Sequence, residues 1–487
     1  MSNLSVGFID LATFDDVESF LYAGHTAVTY FIRQHKKSSW FTQVPVQLTA
    51  NGGTASFGQT WSVNISRAGD YLLQAWLEVT TPAISQAGLT GQNFWCKNFM
   101  HNLVSEASLT FNDLIAHKFD SVALDFWAAF NVPAGKRDAY DKMIGAGVFI
   151  TDAAGQKTFV RGINANVSQT FALPLPFFFS RESGVALPTA AIPYNDMRIN
   201  FTFRALNDVI ASFGITTAGD FTINQQVASV SGTTYVAPTS MSLNAKVYAN
   251  YAIVSNDERQ LMGSTPRDIV IEQNQSAPIS SLTSATTVKA YDIRFSHAIK
   301  TLNFAIRNKL IQAGTYVTGN VGFTSAGLAL VGAGGAGGDF FSNYTRKSIA
   351  SEIIAPIAGD PTQRHIRTSA IASASLLYEN TTRLDMPSYY FTRVNPYYSS
   401  ESIPSEPGMH TYSYSLNSSS VDPMGSTNYG KLTNVSLSIT PASGIVLTTG
   451  AVGAGDNLTP ASCDVVICAV NHNVIRVSGG AVGFPVL

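Results

Sequence analysis

Cysteine is nearly absent. Cys96, Cys463 and Cys468 are the only three in 487 residues, too few for a disulfide framework and odd in number. None sits in a CxxC pair, so a thiolate zinc site is not indicated. Cys463 and Cys468 lie in CDVVIC, an apparent strand that points them to opposite faces. Small, buried, reduced thiols are the expectation. Charge is also scarce, at 13% of residues against roughly 25% in ordinary domains. The net value of −2 leaves no basic footprint for a phosphate backbone, and RQHKK (Arg33 to Lys37) reads as a short solvated connection. Direct nucleic-acid binding is therefore not expected. A long apolar run is missing too. Leu310 to Gly338 carries no charge but holds nine glycines with Gln, Asn, Thr and Ser, too polar for a bilayer and suited to a surface loop. MSNLSVGFIDL has no basic stretch followed by an apolar one, so no export signal is expected.

Apolar residues are plentiful, at 45%, enough for sizeable cores, and the length suggests more than one domain. So few charges on so large a chain imply that protein contacts cover much of its surface; a secreted β protein rich in Ser, Thr and Asn is the plainer alternative. Period-two alternation dominates the pattern. Trp61, Val63 and Ile65 alternate with polar residues in TWSVNIS, as do Ile199, Phe201 and Phe203 in RINFTFR. Val435, Leu437 and Ile439 repeat this in VSLSIT, and Ile293, Phe295 and Ile299 in DIRFSHAI. Strands with one wet face and one dry face belong to antiparallel sandwiches. Helical signals are local. Thr13 with Asp16, and Ser255 with Glu258, suggest capping boxes, and Val122, Phe126, Trp127 and Phe130 suggest a helix ending before Pro133.

Candidate chemistry is thin. Gly332, Gly334 and Gly337 satisfy GxGxxG, but no apolar helix follows them, so a loop is expected in place of a nucleotide site. The eight histidines are scattered, His25 and His35 being the closest pair, which does not suit a metal cluster. His297 falls on the apolar face of DIRFSHAI and His101 near the head of MHNLVSEASLTF; a lone histidine on such a face reads as a hydrogen-bonded core residue. No GxSxG elbow is present, and Asp15–Asp16 and Asp257–Glu258 sit where helices start, as the helix dipole favours. The aromatic runs Phe177–Phe179 and Tyr389–Phe391 read as core or subunit contact. No catalytic, cofactor-binding or metal-binding residue is assigned.

Several blocks carry a resemblance. MHNLVSEASLTFNDLIAHKFDSVALDFWAAFNVPAGKRDAYDKMIGAG, from Met100, is the most extensive. With it go GFIDLATFDD (from Gly7), LPTAAIPYNDMRINFTFR (Leu187) and YAIVSNDERQLMG (Tyr251). YENTTRLDMPSYYFTRVNPYY (Tyr378), VDPMGSTNYGKLTNVSLSI (Val421) and NVIRVSGGAVGFPVL (Asn473) follow in order. Together they resemble the major capsid proteins of large icosahedral DNA viruses of the iridovirus and marseillevirus type. The resemblance implies an all-β double jelly roll, two eight-stranded sandwiches with a few short helices. It implies an arm at 1–40, jelly roll 1 at 41–262 with a junction helix at 255–263, and jelly roll 2 at 263–487. Variable loops are expected near 207–243, 310–341 and 443–462. By the same resemblance the chain forms homotrimeric, pseudo-hexagonal capsomers that tile an icosahedral shell and has no catalytic role. Implied partners are neighbouring capsomers, minor capsid and penton proteins, and peripherally an internal viral membrane. The implied location is the virion, assembled in host cytoplasm. The alternatives are a β-sandwich carbohydrate-binding protein or glycosidase, and a non-capsid viral spike.

Overall fold

The computed structural model describes residues 2–84, 92–151, 157–215, 241–282, 287–308, 341–344, 369–442 and 463–484, with short strands at 221–224, 227–230 and 233–236, apart from single positions at 23, 26, 34, 36 and 405. Residues 1–40 and 41–487 are separate compact units. The first holds two helices, Ser2–Ala12 and Asp16–Tyr22. Thr13 does not cap the second: its hydroxyl donates to the Asp10 carbonyl, and the Asp15 carboxylate receives the Asp16 N–H at 2.8 Å.

In the second unit the alternating segments become strands of antiparallel sheets. One four-stranded sheet has the order 41–47, 244–254, 71–80, 170–174, and a five-stranded sheet has 49–50, 60–64, 197–203, 104–111, 114–120. After the helix Asn256–Ser264 come a seven-stranded sheet built on 267–276, 463–478, 298–308 and 410–413, and a four-stranded sheet ordered 289–292, 435–441, 371–378, 381–387. Ser255 precedes that helix without a side-chain capping bond, so the expected box with Glu258 does not form. Among the described residues no sheet mixes strands from the two sides of the helix. Pairing within each set is strongly non-local, Phe41 opposing Val254 and Arg267 opposing Val477.

The predicted faces are as expected where strands are regular. Trp61, Val63, Ile199, Phe201, Leu437 and Ile439 are buried, and their polar neighbours are exposed or half-buried, apart from Ser436, which is covered. DIRFSHAI departs from expectation. A strand ends at Asp292, the chain steps across, and the next begins at Ala298, with His297 at φ 63°. Ile293 and Phe295 still point inward, so the alternation is real although the segment serves two sheets. Cys463 and Cys468 do face opposite ways: the first joins the core of the second pair of sheets, the second packs with Val122, Phe126 and Phe130 of the helix Ser121–Asn131. The core of the first sheets also takes in Ile269, Ile271, Ile475 and Val477, so apolar packing runs on between the two systems. The 207–243 stretch carries strands at 210–215, 221–224, 227–230 and 233–236. The other two expected loops, except Phe341, and the glycine run at Gly332, Gly334 and Gly337 lie outside the described residues.

Candidate functional site

The concentration of buried polar groups lies where the two sheet systems meet. The 114–120 strand packs there on the 267–276 strand, and the helix Ser121–Asn131 on the 463–478 strand. Asp120 caps that helix, accepting the Ala123 N–H at 2.8 Å. One turn on, Asp125 is buried in the middle of a network. Its Oδ1 accepts from His101 Nδ1 at 2.7 Å and Asn98 at 3.0 Å, and its Oδ2 from Ser342 at 2.8 Å and Tyr344 at 2.9 Å. Burial alone would raise this carboxyl, but the bonds from His101, Ser342 and Tyr344 outweigh it and hold the group below its ordinary value.

His101 Nε2 lies 2.7 Å from the Tyr140 hydroxyl. Burial pushes that phenol above its ordinary range, so it keeps its proton, and the Asp125 carboxylate, which can only accept, takes the Nδ1–H of the ring. Carboxylate, imidazole and hydroxyl thus line up as in a nucleophilic relay. All three are buried, and the terminal hydroxyl is made less acidic, the reverse of what an activated nucleophile needs. The arrangement holds strands and helices together. His101 is the hydrogen-bonded core residue that the sequence suggests.

Deeper in the seam, Glu272 accepts from Lys300 through Oε1 and pairs with Arg181 through Oε2 at 3.0 Å. Lys300 also donates to the Ser420 carbonyl. Arg307 pairs with Asp464 at 3.2 Å, and Lys97 with Glu406 at 2.7 Å. Arg204 lies over the Phe341 ring at 4.0 Å and donates to Ser121 at 2.9 Å. A cavity of about 40 Å³ remains here, with His117, Arg181, Glu272 and Asn274 on its wall beside Phe126 and Phe178. Sequence reasoning missed these pairs. Their one visible signal is a lone charge inside an apolar strand, as in IVIEQN, AIKTLNF and CDVVIC.

The remaining candidates are scattered. His25 and His35 belong to the first forty residues and are exposed. Asp16 and Glu18, and Asp257 with Glu258, occupy first helical turns. Phe177, Phe178 and Phe179 are core, whereas Tyr389 is 63% exposed beside buried Phe391. The three thiols are free and buried, with Cys463 pushed up to about 12 by burial. Among the described residues no helix is long and apolar enough to cross a membrane.

Comparison with known proteins matches residues 29–254 to the family described as major capsid protein N-terminus, and residues 258–483 to the large eukaryotic DNA virus major capsid protein. The chain is 47% identical to the major capsid protein of Costelytra zealandica iridescent virus, over 100% of this chain and 99% of the relative. It is 40% identical to that of Lymphocystis disease virus 1, again over 100% and 99%. Among solved structures it is similar to the capsid chain of the PBCV-1 quasi-atomic model (TM-score 0.66, 19% identity, covering 94% of this chain and 100% of that one). The Faustovirus major capsid protein matches with TM-score 0.61 and 12% identity, covering 95% and 94%.

Proposed function

Since this chain belongs to the major capsid proteins of large eukaryotic DNA viruses, and has their double jelly roll, we propose that it acts as a homotrimer whose six sandwiches form one pseudo-hexagonal tile. Full-length identity of 47% to a major capsid protein carries this reading. We place the division between sandwiches at the helix Asn256–Ser264, giving 41–262 and 263–487 as jelly rolls and 1–40 as an arm. Rigid sandwiches with continuous packing between them suit a shell element, which must keep its shape while its outer loops vary. Exposed Tyr389, Tyr397, Tyr398 and Leu416, at 63–81% exposure, are of the kind that large subunit interfaces cover. The partners in this reading are neighbouring tiles, minor capsid and penton proteins, and peripherally an internal viral membrane, with assembly in host cytoplasm.

The role is architectural and not enzymatic. Among the described residues each buried carboxylate of the body engages a basic or imidazole group: Asp70 with Arg259, Asp125 with His101, Glu272 with Lys300 and Arg181, and Asp464 with Arg307. Such pairing serves packing and takes these carboxylates out of glycosidase chemistry, which needs two acids facing an open cleft. Native mass spectrometry tests the assembly. Three copies of the 52.1 kDa chain, about 156 kDa, should dominate, with triangular or hexagonal particles in negative stain. Folded protein that stays monomeric at micromolar concentration would overturn the tile.

A further inference from the structure

Two buried histidines of the body differ in what a second ring proton would meet. His410 has Nδ1 3.0 Å from the Gly408 carbonyl, and Nε2 3.1 and 2.8 Å from the Ser369 and Ser388 hydroxyls. A carbonyl accepts, and a hydroxyl can turn its lone pair inward, so a fully protonated ring keeps partners on both sides. His117, on the 114–120 strand, has no such freedom. The Phe178 backbone N–H donates to its Nδ1 at 3.2 Å, and a backbone amide cannot reverse that role. Its Nε2 lies 3.3 Å from the Asn274 side-chain amide. With Nδ1 accepting, the neutral ring carries its proton on Nε2; the Asn274 atom placed against it is Nδ2, so that amide turns over to bring its oxygen to the proton. A proton added at Nδ1 would set N–H against N–H.

The surroundings sharpen the effect. The 267–276 strand brings Glu272 and Asn274 to this region, and Arg181 follows the turn Phe178–Ser180. Lys300 comes from the 298–308 strand, Cys468 and His472 from the 463–478 strand, and Lys118 and Asp120 flank His117 on its own strand. Neither ring nitrogen of His472 has a hydrogen-bond partner. Phe119 and Phe177 present ring edges to His117, with centroids 6.0 and 5.7 Å away. Burial disfavours a charged ring here, and Arg181 opposes it further, against the attraction of Glu272, which Arg181 and Lys300 already share. The position matters as well. His117 stands on the outermost strand of the five-stranded sheet, where it meets the seven-stranded sheet, next to the Gln273 side chain that donates to the Ala116 carbonyl at 2.6 Å.

We infer that His117 is a proton-sensing site: a proton at Nδ1 breaks the Phe178 contact and opens the joint between the two sheet systems while their cores stay folded. Burial favours the neutral ring and holds its pKa at about 4, which sets the acidity at which the joint responds.

Hydrogen exchange by mass spectrometry on the full-length protein tests this, with labelling times corrected for the intrinsic rate at each pH. Wild type, His117→Asn and His410→Asn are compared at neutral pH and at about pH 4. Asparagine at 117 can still offer a carbonyl oxygen to Phe178 but cannot take up a proton. In wild type, peptides covering 114–120 and 176–182 should lose about tenfold or more of their protection in acid, while those covering 197–203 and 435–441 hold. His117→Asn should retain seam protection, and His410→Asn should behave as wild type. Opening of His117→Asn at the wild-type pH would overturn the assignment. So would simultaneous loss of seam and core protection in wild type, a comparison that decides the matter by itself if the variant does not fold.

Discussion

Phe201 is fully buried against Trp61, while Thr202, one residue on, faces solvent. Truncating Phe201 to alanine should cost about 3–5 kcal/mol, and truncating Thr202 less than about 0.5 kcal/mol. Equal losses in chemical melts would mean the faces are reversed. Gly479 and Gly480 offer a second paired test. Both have positive φ, 60° and 84°, but a Cβ at 479 meets open space whereas one at 480 falls 2.6 Å from the Tyr194 ring. Gly479→Ala should carry only left-handed strain of about 1–2 kcal/mol, and Gly480→Ala clearly more; a melt in which both shift alike would refute that contact. The titrating groups set the pH response. Burial holds His117 and His410 at about 4, below the ordinary 6.5. Between those values the unfolded chain binds more protons, so stability falls as pH drops through the window and levels off beneath it. Each histidine contributes up to about 3 kcal/mol of that loss. Asp70, lowered chiefly by its bond from Arg259, and Asp125 add stability that is present above the ordinary carboxylate range and lost as pH falls through their folded values. Denaturant midpoints should therefore decline steadily from neutral pH to about pH 4, and a flat profile would contradict the burial of these rings.

Strands with one wet face were legible because side chains alternate with period two whatever the strand pairs with. Hence Trp61, Val63, Ile199, Phe201, Val435 and Leu437 could be placed inward from sequence alone. The helix Ser121–Asn131 was legible for a similar reason, its apolar residues recurring at helical spacing before Pro133. What alternation cannot report is which sheet a strand joins, and DIRFSHAI kept its period across a step between two sheets. Tight turns were partly visible. Asn112–Asp113 and Glu379–Asn380 close two-residue hairpins with both residues at positive φ, but only Asn-Asp looks like a turn of that type. The seam was illegible because its partners are remote in sequence, Lys97 reaching Glu406 and Arg181 reaching Glu272. Lone charges in apolar strands marked their positions without naming their mates. Removing Glu272 alone should therefore hurt more than removing it together with Lys300. Lys300→Met alone would leave Glu272 with Arg181 only, and Glu272→Met alone would strand a buried ammonium at a cost of about 3–5 kcal/mol. The double variant, in which two apolar chains of similar volume replace the pair, should recover part of that loss. A double variant as unstable as the sum of the singles would show that the two do not interact.

At the scale of the whole molecule, the first forty residues pose the remaining question. They form a unit of their own, with Phe14, Val17, Phe20 and Leu21 all more than half exposed on or beside the helix Asp16–Tyr22. A seven-residue helix with no buried face is marginal in water, so its apolar side chains call for a surface to rest on. Its charges bear on what that surface is. Asp10, Asp15, Asp16 and Glu18 are the only charged side chains of residues 1–22, which favours a partner with basic groups against this helix, whereas Arg33, Lys36 and Lys37 follow further along the same unit. Under the proposed function, that role fits a minor capsid protein. Deleting residues 2–38 should then leave the body's melting transition and its trimeric mass unchanged, because both jelly rolls build their cores from residues after Phe41. The expected loss is in incorporation: truncated tiles should assemble poorly with the proteins of the shell interior, and closed particles should become rare. Melting curves and native masses of the full-length and truncated chains, measured side by side, separate this from a structural role. Unfolding of the body, or a fall from trimer to monomer on truncation, would make the arm a structural part of the tile in place of a docking element.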